Sequence, residues 1–143
     1  MERRDYLLKE IEKIGTLLNA LRQKLFGGDG NLSITVEKQI EDAKEMLLSE
    51  VNFDFGKFLE NLDIEHSNEY ISGFEGFSIE NIERLAEYLS QAGFHDYGDH
   101  SGKYLEKALQ LYELCNLKSK TYSFERERSI QTIKNVLQEK EVQ

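Results

Sequence analysis

The sequence predicts an all-α fold, a single-domain bundle of about five or six helices. Three observations carry that expectation. Among 143 residues there is no proline, the residue that most strongly breaks a helix. Apolar residues recur at steps of three and four through several segments, which is the period of one helix face. No run of alternating β-branched residues is long enough to compete as a strand. A chain of this length buries roughly two-thirds of its unfolded surface in one core. It therefore reads as one domain, 1–143, made of a long N-terminal helix with a Gly-rich turn (1–30), middle helices (31–77) and a C-terminal helical set (78–143).

In the first helix Leu7, Ile11, Ile14, Leu18, Leu21 and Leu25 form one stripe. Asp5 is its expected cap and Gly27-Gly28 its stop. Leu8 and Leu17 widen the stripe beyond a coiled-coil seam, which favours packing inside a bundle. A homo-oligomer formed through the same stripe is a further expectation. Gly27-Gly28-Asp29-Gly30-Asn31 is turn chemistry. Ser33 or Thr35 then caps a helix carrying Val36, Ile40, Ala43 and Leu47. A Phe-rich stretch follows, with a short helix expected near 54–61 and another from Ser67 to a stop at Gly73. Ser78 starts the next helix, stapled by Phe77 and Ile82, with Glu80 in its first turn and Gly93 as its stop. Beyond a polar loop, Phe94–Gly102, a helix carries Leu105, Ala108, Leu109, Tyr112 and Cys115. The last helix is expected from about Thr121, with Ile130, Ile133 and Leu137 inward.

The net charge is −9, which argues against coating nucleic acid or an anionic membrane by bulk electrostatics. Its distribution is uneven. Residues 1–26 hold six basic and four acidic side chains, residues 27–113 hold six and nineteen, and residues 114–143 hold six and four. An acidic middle of −13 thus lies between two ends of +2 each, a pattern suited to ordinary solvated faces or to end-to-middle attraction within the fold or between copies. The single cysteine, Cys115, forms no internal disulfide. With no apolar signal segment at the start and no membrane-length apolar run, the expected location is the cytoplasm.

Most catalytic patterns fail on their own requirements. Asp54-Phe55-Gly56 matches the metal-binding tripeptide of protein kinases, but the remaining kinase motifs are missing. Gly27–Gly30 lacks the Lys-Ser/Thr ending of a phosphate loop. As a calcium loop, Asp29, Asn31 and Ser33 are followed by Ile34 and Ile40 where Gly and Glu are required. There is no Gly-x-Ser-x-Gly elbow, and Cys115 falls on the apolar side of its helix. Lys118, Lys120, Arg126 and Arg128 alternate with Tyr122 and Phe124, but Glu125 and Glu127 interrupt any nucleic-acid surface. The best chemical constellation is the loop His95-Asp96-Tyr97-Gly98-Asp99-His100. Its candidate metal ligands are His95, Asp96, Asp99 and His100, with His66 or Glu69 arriving from elsewhere. The spacing matches no established zinc pattern and Gly and Asp are ordinary turn residues, so the loop reads first as a polar turn, and no cofactor is expected.

Leu85, Ala86, Leu89 and Gly93, followed by Ser101, Leu105, Lys107-Ala108-Leu109 and Leu111, resemble a tetratricopeptide repeat (TPR), a helical hairpin whose small residues let two antiparallel helices cross closely. The turn 94–100 is about three residues longer than that pattern, and Glu113 stands near the place of the usual closing proline. The last helix would then cap the hairpin. With Asp5-Tyr6-Leu7 and Ile11-Glu12 in its first helix, a Phe/Leu-rich middle and this repeat-like end, the chain is also similar across its length to small, uncharacterised bacterial all-helical proteins. That similarity implies a cytosolic bacterial protein without naming an activity. The expected function is a non-catalytic protein-interaction or scaffold module, not an enzyme. It would bind a protein or peptide on a concave helical face, with Tyr97, Tyr104 and Tyr122 as aromatic contacts. The alternative is a metal-binding enzyme or sensor built on His95–His100.

Overall fold

The computed structural model describes residues 2–26, 35–60, 63–95 and 101–142. Seven helices and no strands occur among them: α1 (Glu2–Phe26), α2 (Val36–Val51), α3 (Phe55–Glu60), α4 (Ile64–Ser72), α5 (Ile79–His95), α6 (Ser101–Lys118) and α7 (Phe124–Val142). The count is seven rather than about five or six, with both short middle segments present as helices. The Gly27–Asn31 turn and Ser33 lie outside the described residues.

Local chemistry explains most of the helix ends. Thr35 caps α2 by accepting from the Lys38 N–H at 3.1 Å. Asp54 and Asp63 do the same for α3 and α4, accepting from the Lys57 and His66 amides at 2.9 and 2.8 Å. The kinase-like Asp54-Phe55-Gly56 is thus a helix cap followed by a fully buried Phe. α2 ends on Asn52 in the left-handed region (φ 59°), a conformation Asn tolerates better than most residues. Ser78 accepts from the Asn81 amide at 3.2 Å, and Phe77 and Ile82 are both buried as a staple requires.

Four boundaries correct the sequence expectation. α4 begins at Ile64, capped by Asp63, rather than at Ser67. Asp5 does not cap α1, since the helix already runs from Glu2. Gly93 does not stop α5, which continues to His95. α7 begins at Phe124 rather than near Thr121, and Ser123 accepts from the Arg126 amide at 3.2 Å. Gly93 has a different reason to be small. A Cβ there would lie 2.7 Å from Leu105 Cγ and Cδ2 and 3.0 Å from the Ser101 carbonyl oxygen. Packing of α6 against α5 requires the glycine, not helix termination.

Packing closes a ring. α1 packs on α2 and α5, α2 on α3, α3 on α4, α4 on α6, and α6 on α5. The α5–α6 interface is the most extensive. Those two helices are antiparallel: Gly93 meets Leu105, while the Cys115 thiol at the other end donates to the Ile79 carbonyl at 3.6 Å. The ring is filled by an aromatic cluster around Phe53, whose centroid lies 4.8 Å from Phe77, 5.2 Å from Phe74, 5.4 Å from Tyr70 and 5.8 Å from Phe58. Such pairs each contribute about 0.5–1.5 kcal/mol beyond their burial. The first-helix stripe is used inside this core, with Ile14, Leu18 and Leu21 buried. The homo-oligomer expected through that stripe therefore finds its central residues already covered. α1 is fastened by Asn81, fully buried, whose amide donates to the Ile11 carbonyl at 2.9 Å and the Gly76 carbonyl at 2.8 Å.

The charge asymmetry has a structural outcome. Arg3 pairs with Glu75 (3.4 Å), Arg22 with Glu87 (2.8 Å) and Arg126 with Glu83 (3.0 Å). Each pair joins an end helix to the acidic middle of the same chain.

Candidate functional site

α7 runs antiparallel to α6 and hence parallel to α5. Arg126 reaches Asn116 near the end of α6 and Glu83 near the start of α5. One to two turns on, Tyr112 of α6 lies beside Ser129 of α7 and Ser90 of α5. Because α6 sits behind them, α5 and α7 do not close on each other. Between them lies a groove of about 710 Å³, within the size range of ligand sites.

The rims of both walls come from helix faces that turn away from the core, and the buried Ser90, Tyr112 and Ile133 form the floor. On α5, Glu80, Glu83, Arg84, Glu87, Gln91 and Phe94 line the groove, opposite the buried Ile82, Leu85, Ala86 and Leu89. On α7 the lining includes Glu125, Arg128, Ser129 and Thr132, and Tyr112 contributes from α6. The groove is chemically polarised. Its charged end lies at the N-termini of α5 and α7, whereas its other end holds Gln91, Phe94, Thr132 and Ile133.

Arg126 holds the charged end in shape. It is only 6% exposed, and its guanidinium donates to Glu83 at 3.0 Å and Asn116 at 3.1 Å. A buried guanidinium persists where its donors are satisfied, and here one side chain joins three helices. Arg84 donates to Asn81 Oδ1 at 2.7 Å, so the residue that fastens α1 also orients a groove cation. Burial pushes the Tyr112 phenol above its ordinary pKa, opposed in part by its serine partners. It remains a neutral hydrogen-bonding group throughout the physiological range.

The residues singled out from sequence have different fates. Tyr104 is 6% exposed and belongs to the core, so its ring does not offer a solvent-facing contact; the small crossing residues of α5 and α6 bring its helix too close. Tyr122 is 76% exposed, immediately before Ser123 of the groove lining. Leu117 near the end of α6 and Phe124 at the start of α7 are exposed as well. His95 ends α5 on the surface, whereas Asp96, Tyr97, Asp99 and His100 lie outside the described residues. Among the described residues, no group of three or more His, Cys, Asp or Glu side chains is placed to hold a metal ion. Cys115 is buried, and its thiol is pushed up to about 11 by desolvation, with Glu83 adding to the effect. A thiolate is therefore scarce at neutral pH.

The sequence singles out neither Arg84 nor Ser129, places Arg126 in an interrupted basic stripe and offers Tyr112 only as an inward residue of its helix. The signal that could have found the groove is the polar stripe 80-83-84-87-91 on the back of α5, repeated as 125-128-129-132 on α7. Each stripe alone looks like a solvated face.

Comparison with known proteins yields no match: neither a protein family, nor a curated protein, nor a solved structure. No helix among the described residues is long and apolar enough to cross a membrane.

Proposed function

We propose that this chain is a non-catalytic helical interaction module that binds a protein or peptide segment, and that the segment lies in the α5–α7 groove. The observation that carries this reading is the arrangement of two parallel helices held apart by a third. It leaves a concave face with Phe94 at its apolar end over the buried Ile133, hydroxyls at Ser129 and Thr132, and charges at Arg84 and Arg128. An extended peptide needs such a mixture, because its backbone seeks polar partners while alternate side chains seek apolar contact. The TPR-like residues of α5 and α6 support the same reading, with α7 in the place of a capping helix; helical-repeat folds use concave faces of this kind. Tyr122, in the connection between α6 and α7, is retained as an aromatic contact. The reading places the protein in a bacterial cytoplasm.

The test is selection of binders from a random-peptide display library against the full chain, followed by NMR mapping of a selected peptide. The expected outcome is saturable shifts at Gln91, Ser129 and Thr132, with binding abolished by Ser129→Trp, which fills the groove, and retained by Ile64→Trp on another face. Failure to select any peptide, or selected peptides insensitive to Ser129→Trp, would remove the groove from consideration.

A further inference from the structure

A second concavity lies between α6 and the α3–α4 corner, independent of the groove. It encloses about 440 Å³, again within the range of small-molecule sites. Leu59, Ile64 and Leu109 supply apolar wall, and Lys103 and Lys107 line it one turn apart on α6. Lys107 is half-buried, donating to Ser67 Oγ at 2.7 Å with its ammonium 5.0 Å from the Phe58 ring centroid. Ser67 itself is fully buried, so it positions the lysine rather than meeting a ligand.

The charges at this cleft are unequal in their setting. Asp63 is engaged at 2.8 Å by both the amide and the ring of His66. Glu106 and Glu113 are exposed and form a solvated rim. Lys103 stands 4.0 Å from Glu60, which is also 3.6 Å from Lys44. Lys107 is the deepest charge. Burial first, and then the like charge of Lys103, hold its pKa below the ordinary lysine value despite the attraction of Asp63.

We propose that this cleft binds a small amphipathic carboxylate, its apolar tail against Leu59, Ile64 and Leu109 and its carboxylate at Lys103 and Lys107. Two features converge on that ligand. Like charges one turn apart on a helix repel, and a single anion between them relieves both. A partly desolvated ammonium forms stronger charge-assisted hydrogen bonds than one in water. A neutral apolar ligand would satisfy the walls and leave that repulsion in place.

The experiment is an NMR titration of the full chain, isotope-labelled at methyl groups and amides, with octanoate, octanol and octylamine. Octanoate is expected to shift the Ile64 and Leu109 methyls saturably and to bind about fivefold or more tightly than either chain-matched control. Lys103→Ala should weaken octanoate by about threefold and Lys107→Met by about tenfold, with octanol unaffected. Equal affinity for the three ligands, or no saturable methyl shifts at millimolar octanoate, would overturn the proposal. If Lys107→Met does not fold, Lys103→Ala and the chain-matched ligands still decide.

Discussion

Gly93→Ala is the sharpest probe of the helix crossing that creates the groove. Alanine restores helix propensity worth about 1 kcal/mol over glycine. Against that, its Cβ would stand 2.7 Å from two carbons of Leu105 and 3.0 Å from the Ser101 carbonyl oxygen. One of these carbons is the branch point of the leucine and the oxygen belongs to the backbone, so neither yields cheaply. Overpacking of that kind costs about 1–3 kcal/mol, which leaves a net loss of up to about 2 kcal/mol by difference. Gly102→Ala is the matched control, because a Cβ there meets nothing within 4 Å. It should be neutral or stabilising by up to about 1 kcal/mol. Because the propensity gain is common to both, the two variants should differ by the overpacking cost, about 1–3 kcal/mol. At about 3–5 °C per kcal/mol, that separates their melting temperatures by roughly 3–15 °C. Urea denaturation followed by circular dichroism measures the difference, and an unchanged slope attributes it to the native state. If Gly93→Ala proved as stable as Gly102→Ala, α5 and α6 would not approach as closely as described, and the account of the groove would fail with them.

Three further outcomes are expected. Arg126→Met should destabilise by about 1–3 kcal/mol, below the full cost of breaking a buried pair because Glu83 is one-third exposed, and adding Glu83→Gln should recover part of the loss in a double-mutant cycle. Native Cys115 should resist thiol reagents at neutral pH and react once the chain is unfolded in urea; rapid labelling of the folded protein would contradict its burial and raised pKa. Asp63 is held below its ordinary value of 3.8 by the His66 amide and then its ring, and His66 is raised above 6.5 by its hydrogen bond to Asp63. The Asp63 contribution to stability is present above 3.8 and lost as pH falls through the folded pKa. The His66 contribution is complete below 6.5 and lost as pH rises through the folded pKa. The cap is thus strongest between those limits, and Asp63→Asn should lower the His66 midpoint in an NMR titration.

The groove and the cleft show how differently the two levels of structure speak. The stripe Ile14-Leu18-Leu21 and the caps Thr35 and Ser78 could be read directly, because periodicity and capping are local properties. The charge asymmetry was visible as a pattern, and the ion pairs Arg3–Glu75, Arg22–Glu87 and Arg126–Glu83 gave it partners that no spacing rule connects. Tyr104, expected as an aromatic contact, lies in the core; a tyrosine at helical spacing has the same signature whether it faces solvent or a close neighbour.

What the sequence by itself determined is the all-helical class and which faces of the helices turn inward, since both follow from the 3.6-residue period and the absence of proline. Only the tertiary structure decided that Gly93 serves a crossing rather than an end, that Arg126 lies buried among three helices, and that polar stripes far apart in the chain become opposite walls of one groove. The reason is physical: a residue's helix fixes which way it points, but its role depends on what stands opposite, and that is set by packing between segments distant in sequence.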